Sequence, residues 1–258
     1  MRKYPIYFFL LILSCRMACF GSEDSASFIL NRYLGPIYQD VFVKNQVLIK
    51  GVNLCDKRYD LIKPVFNLFQ TSFSILDVGS AQGYFSFRIA HDYPHAHCTM
   101  IDENSSDYRY HGDLLYDLCL LNQLDNVTYL RKRMSYNDLC FLNEQEHFDV
   151  VLAFLVVHQM AEKLSDQQMF FERLLSLGDH LLVEVADDVA VDLTDFIASL
   201  CKYSDCECLG EVPRFQDPNK PGRGTLYWFK GPKRASRQRV SKETFRALNG
   251  VYPSALLD

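Results

Sequence analysis

The 258-residue sequence holds no C-x-x-C pair, no internal repeat and no long low-complexity run. The missing C-x-x-C pair argues against a structural zinc site, and the missing repeat against a solenoid or propeller. No apolar run approaches the roughly 20 residues a membrane-spanning helix requires, the longest near the start being Tyr4 to Ser14. Charge of one sign is also scarce: the formal balance is only -5, which makes no global case for nucleic acid or an acidic membrane as partner. What the chain has is apolar material. Hydrophobic residues make up 48% and aromatics 14%, enough for a full core, so a disordered chain is excluded.

Cysteine is plentiful but scattered. Of the nine, Cys15 and Cys19 lie in the first twenty residues, and seven follow. An odd number falling within apolar patterns reads as small hydrophobes in a reducing compartment, not as a disulfide framework. Cys206 and Cys208, two apart on one strand face, are expected to pack in the core.

Residues 1–21 stand apart. Arg2 and Lys3 precede the short apolar run, and Ala18, Gly21 and Ser22 follow it. This is the layout of a secretory signal peptide, with an uncleaved membrane anchor or a true start at Met17 as the other readings. The first two place the protein outside the cell or at a membrane; the last places it in the cytosol. Residues 22–70 form a lead-in, with a helix over 25–38, a hairpin or loose strands over 41–52, and an amphipathic helix over 57–69 that Pro64 kinks or restarts.

From residue 71 to 231 the pattern alternates strand and helix. Strands are expected at 74–78, 96–101, 127–131, 148–157 and 180–186, with helices over 83–92, 113–124, 161–177 and 193–202. The series ends differently. Strands at 207–215 and 225–230 are joined by a turn-rich link, which suggests an antiparallel hairpin at the sheet edge. Residues 232–258 are basic, with Lys233, Arg234, Arg237, Arg239, Lys242 and Arg246 against Glu243. They read as a solvated extension, or as a patch for RNA or an anionic membrane.

The first strand leads into the most informative stretch, Ser74-Ile-Leu-Asp-Val-Gly-Ser-Ala-Gln-Gly-Tyr-Phe-Ser-Phe-Arg-Ile-Ala90. A buried strand, a glycine turn and a helix N-terminus make a common cradle for a nucleotide-like ligand. Gly79 and Gly83 do not give the G-x-G-x-x-G of dinucleotide enzymes, and no Lys-Ser/Thr follows to make a P-loop. The pattern Asp77-x-Gly79-x-x-x-Gly83 resembles the first motif of class I S-adenosylmethionine-dependent methyltransferases. Five helix-linked strands ending in a hairpin resemble the same family over about residues 57–230.

The resemblance implies an α/β fold: a Rossmann-like, seven-stranded, mostly parallel sheet flanked by helices, with an antiparallel C-terminal β-hairpin. It implies S-adenosyl-L-methionine as cofactor. Asp77 would serve its amino-acid end, with Gly79, Ser80, Ala81, Gln82 and Gly83 as the loop beneath. Asp102, closing the second strand, would take the ribose diol. The family's adenine contact has no clear equivalent, since Met134 stands near its place and Ser135 or Asn137 would have to substitute. Ala153 and Phe154 close the fourth strand, which resembles the fourth motif of small-molecule methyltransferases. His158 is the candidate general base, with packing or capping as its other reading.

Exclusions narrow the acceptor. The fourth strand lacks the Asn/Asp-Pro-Pro-Tyr/Phe of amine and nucleobase N-methyltransferases and the Pro-Cys of cytosine-C5 enzymes, and the fifth lacks the lysine of ribose 2'-O enzymes. The expected activity is methylation of an oxygen or nitrogen on a small-molecule or envelope-component acceptor. An RNA methyltransferase and an inactive, methyltransferase-like binding module are the alternatives.

Overall fold

The computed structural model describes residues 37–103, 114–202, 204–215 and 222–231, together with Ser27. The expected signal segment, the 25–38 helix apart from its last residues, the loop after Glu103 and the basic tail lie outside the described residues. Among those described, no helix is long and apolar enough to cross a membrane.

Polar Lys44 and Asn45 separate two short apolar strands, β1 (Val41–Val43) and β2 (Gln46–Ile49), and both take positive φ, 46° and 69°. Two left-handed residues in a row make the tight turn that suits a two-residue hairpin. Helix α1 (Cys55–Phe66) follows and carries on through Pro64, which sits in its last turn. The helix is continuous from Cys55 and so does not restart at Pro64.

The main sheet has seven strands. In chain order these are β3 (Phe73–Val78), β4 (Ala96–Asp102), β5 (Val127–Arg131), β6 (Phe148–Phe154), β7 (Gly178–Ala186), β8 (Cys206–Pro213) and β9 (Arg223–Lys230). Their spatial order is β5-β4-β3-β6-β7-β9-β8. The first five run parallel, and β9 pairs antiparallel with both β7 and β8. The crossover elements are α2 (Tyr84–Asp92), α3 (Leu114–Asn122), α4 (Tyr136–Gln145), the short α5 (Val157–Met160), α6 (Leu164–Ser176) and α7 (Val191–Cys201). Each sheet face carries its own core. Hairpin β1–β2 and helices α1 to α3 bury one face around Phe73, Ile75, Met100 and Leu152, and α4, α6 and α7 bury the other around Leu76, Val151, Val183 and Phe171. The expected architecture is the one observed.

The chain steps outward from β3 to β5, then crosses back to place β6 on the other side of β3. Side by side, β3 and β6 therefore begin connections that leave in opposite directions, which opens a crevice beyond their carboxyl ends. Asp149 fixes this junction at its far end, accepting from Ser74 N (2.7 Å) and Ser74 Oγ (2.9 Å).

Four local expectations are corrected. Strand β6 ends at Phe154, because Leu155 turns left-handed (φ 55°) and Val157 opens α5; the apolar run continues only because Leu155 and Val157 are buried in that turn. Helix α4 was not expected. Its start is a capping box in which Ser135 and Asp138 serve each other's backbone N–H. Cys206 does not pack as a free thiol but is bonded to Cys201, joining the end of α7 to the start of β8. Cys208 faces solvent.

Candidate active site

Beyond the carboxyl ends of β3 and β6 lies a cavity whose floor is the turn from β3 into α2. Gly79 and Gly83 both take φ of 73°, where an L side chain is strained. A Cβ on Gly79 would come within 2.5 Å of Val156 Cγ2, and one on Gly83 within 2.8 Å of Met100 Sδ. The first glycine therefore lets β6's exit loop close on the turn, and the second lets α2 start against β4. Gly79 N–H bonds Ile101 O (2.8 Å), and Gly83 N–H bonds Ser80 O (2.8 Å), so the turn is anchored to β4 and to itself.

Two buried groups in the turn lack partners. Ser80 and Gln82 are each 1% exposed, and neither Ser80 Oγ nor Gln82 Nε2 has a hydrogen-bond partner. Buried polar groups are normally paired, so two unpaired ones in a single turn are unusual.

Asp77 sits beneath the turn, 2% exposed, and accepts from Ser86 Oγ of α2 at 2.7 Å. Burial pushes its carboxyl up to about 7; the Ser86 hydroxyl pulls against this and the charge of Asp102 adds to it. Asp102, at the tip of β4, lines the cavity and accepts from Ala81 N at 2.9 Å. The two carboxylates thus bracket the turn, one from below and one from the side.

Gly79, Ala81, Asp102 and Phe154 line the cavity, while Asp77, Ser80, Gln82 and Gly83 lie behind its wall. Met134 also lines it, at the place where an adenine contact was sought. Ser135 does not, and its side chain is taken up with Asp138. Ala153 is wholly buried in the core on the face of α4 and α6. His158 is not among the lining residues; it stands on α5, and Gln159 and Met160, which follow it in the chain, line the cavity. Burial, then the nearby charge of Arg214, lowers its pKa, with Asp188 opposing, so the imidazole is neutral at neutral pH.

Three further contributors escaped the sequence reading. The segment before β1 lies over the turn: Gln39 N–H donates to Gln82 Oε1 (2.7 Å), and Gln39 Oε1 accepts from Tyr84 N (3.2 Å) at the start of α2. Tyr38 follows the same path and lines the cavity. Behind it, Arg58 of α1 reaches Glu184 at the end of β7. No sequence pattern links residues this far apart, although the spacing of Arg58 from Tyr59 and Ile62 on one helix face suited an inward-facing position.

This sheet order, with an antiparallel β9 between β7 and β8, is the class I methyltransferase fold. Solved structures of that fold superpose on it. The bifunctional kinase-methyltransferase WbdD matches 80% of this chain with a TM-score of 0.61 and 19% identity. The N-terminal domain of EvdMO1, crystallised with S-adenosylhomocysteine and D-fucose, matches 80% with a TM-score of 0.53 and 11% identity. The match covers 46% of WbdD and 94% of the EvdMO1 domain, so this chain corresponds to less than half of the former. No family model and no curated protein sequence matches the chain.

Proposed function

We propose that the protein is an S-adenosylmethionine-dependent methyltransferase acting on an oxygen or nitrogen of a small-molecule acceptor. The observation that carries this is the turn from Gly79 to Gly83, which lines the cavity through Gly79 and Ala81, with Asp102 at its open edge. When bound, the cofactor supplies an electrophilic methyl group on a positively charged sulfur.

The residues fit that ligand. Gly79 and Ala81 of the turn border its amino-acid end, with the Asp77 carboxyl beneath. Asp102, steadied by Ala81 N, accepts from the ribose diol, as carboxylates do in dinucleotide sites. Met134 and Phe154 give the adenine an apolar berth. Methyl transfer depends largely on alignment of the two reactants, which a pre-formed crevice provides. His158, neutral and next in the chain to the cavity-lining Gln159, is our candidate to take a proton from an acceptor hydroxyl or amine.

Calorimetry of the full chain with S-adenosylhomocysteine tests the reading. Binding should be seen, and Asp102→Ala should weaken it by at least tenfold, about 1.4 kcal/mol. No heat at millimolar ligand would end the proposal.

A further inference from the structure

The exit of β6 forms one wall of the donor cavity. Five of its residues line that cavity: Phe154, Leu155, Val156, Gln159 and Met160. Only Gln159 among them carries a side-chain nitrogen or oxygen, and it is exposed, within reach of an incoming molecule. The wall touches the donor turn directly, because Val156 Cγ2 fills the space that a Cβ on Gly79 would need. In the donor the sulfur joins the amino-acid chain to the ribose, so its methyl group lies between the Gly79 turn and Asp102. The exit of β6 is therefore the wall an incoming methyl acceptor meets.

Backbone bonds hold this wall in place. Leu155 N–H donates to Glu184 O at 3.0 Å, and Leu155 O accepts from Gln159 Nε2 at 2.8 Å. Both steady a residue at φ 55°, a left-handed conformation that residues with side chains seldom take. Gln159 N–H closes on Val156 O at 2.8 Å, and Gln167 Nε2 of α6 holds Ala161 O at 2.8 Å. A carbonyl pairs only with the nitrogen of an amide, so Leu155 O fixes which end of Gln159 is left over. That end is Oε1, and nothing among the described residues donates to it.

An amide oxygen accepts a hydrogen bond but is no base. A hydroxyl must shed its proton as it attacks, and an alkylammonium before it attacks, so both need a base that this wall does not offer. A neutral aromatic amine needs none, since its lone pair is available with both N–H bonds intact. The Asn/Asp-Pro-Pro-Tyr/Phe of amine enzymes is missing from β6, so an amine here needs another hydrogen-bonding group, and Gln159 supplies one.

We propose that Gln159 orients the methyl acceptor and that this acceptor is a neutral aromatic amine, one N–H donating to Gln159 Oε1 and the ring lying against Val156 and Met160. The nitrogen lone pair forms the N–C bond, the C–S bond breaks and its electron pair stays on sulfur. The methylated nitrogen then loses its proton to water. The proposal rests on the methyltransferase reading above, and it leaves the donor turn untouched, so the two can fail separately.

The test uses the full chain saturated with S-adenosylhomocysteine and titrated with aniline, or with toluene, which has the same shape and no N–H. Aniline should bind at least about threefold tighter, as one hydrogen bond provides. Gln159→Met should abolish that preference while S-adenosylhomocysteine still binds, which also reports that the variant is folded. With S-adenosylmethionine as donor, aniline should yield N-methylaniline and phenol should yield no anisole. Equal binding of aniline and toluene, a preference that survives Gln159→Met, absence of N-methylaniline or formation of anisole overturns the assignment. Failure of S-adenosylhomocysteine itself to bind overturns the methyltransferase reading and the assignment with it.

Discussion

Arg58 grips Glu184 through two hydrogen bonds, 2.7 Å from Nε to Oε2 and 2.8 Å from Nη2 to Oε1, with both side chains shut off from solvent. The pair joins α1 to the carboxyl end of β7, and Gly224 on β9 gives the carboxylate the room it occupies. Removing one partner leaves an uncompensated buried charge. Arg58→Met should therefore lower unfolding free energy by about 3–5 kcal/mol, and the double change Arg58→Met with Glu184→Leu should cost much less. Urea denaturation of the two single variants and the double variant measures the coupling.

Asp77 makes stability depend on pH. Its folded pKa, about 7, lies above the ordinary value of 3.8, so the folded state holds the proton more tightly than the unfolded one. The sign follows: this contribution is fully present below about pH 4 and is lost as pH rises to about 7. Asp77→Asn should flatten that part of the stability profile and leave the ligand-free protein more stable at pH 8. It should also weaken S-adenosylhomocysteine, because the negative charge beneath the turn is gone. A denaturation series between pH 4 and pH 8 on both proteins checks the first effect, and calorimetry the second.

Gly79 is expected to tolerate no side chain. In Gly79→Ala the new methyl meets Val156 and the backbone is held at φ 73°. Loss of cofactor affinity should exceed tenfold, and adding Val156→Ala should restore only part of it, since the clash is relieved but the backbone strain stays. Comparing S-adenosylhomocysteine affinity in the single and double variants separates the two causes.

The Cys201–Cys206 bond closes a short loop between α7 and β8. By the loop-entropy argument, Cys201→Ser should cost about 2 kcal/mol. Peptide mapping without reductant should recover the linked pair, and thermal melting with and without reductant should show the difference.

Much of the fold was legible because its signals are local. Strand β5 is bounded as its β-branched run predicts, and the turn from Asp77 to Gly83 announced itself through glycines that only a left-handed turn requires. Where reading failed, the cause lay between elements. Ser135 offers the same hydroxyl to an adenine or to a helix N-terminus, and only the presence of α4, whose apolar periodicity is weak, decides for the helix. Leu155 belongs to an unbroken apolar run, so nothing marks where β6 stops and the backbone reverses. Tyr38 and Gln39 reach the site by crossing over it from the lead-in, a placement that no short-range pattern encodes. Cys201 and Cys206 looked like two buried thiols until the sharp return from α7 to β8 brought them together.

The bonds from Gln39 to the Gly79–Gly83 turn set a limit on how the segment before β1 can be cut. Helix α2 has no capping side chain of its own at Gly83, and it borrows one from a residue made 45 positions earlier than Tyr84. A cut after Gln39 would remove the cap from the first turn of α2 and the partner of Gln82 Oε1 together.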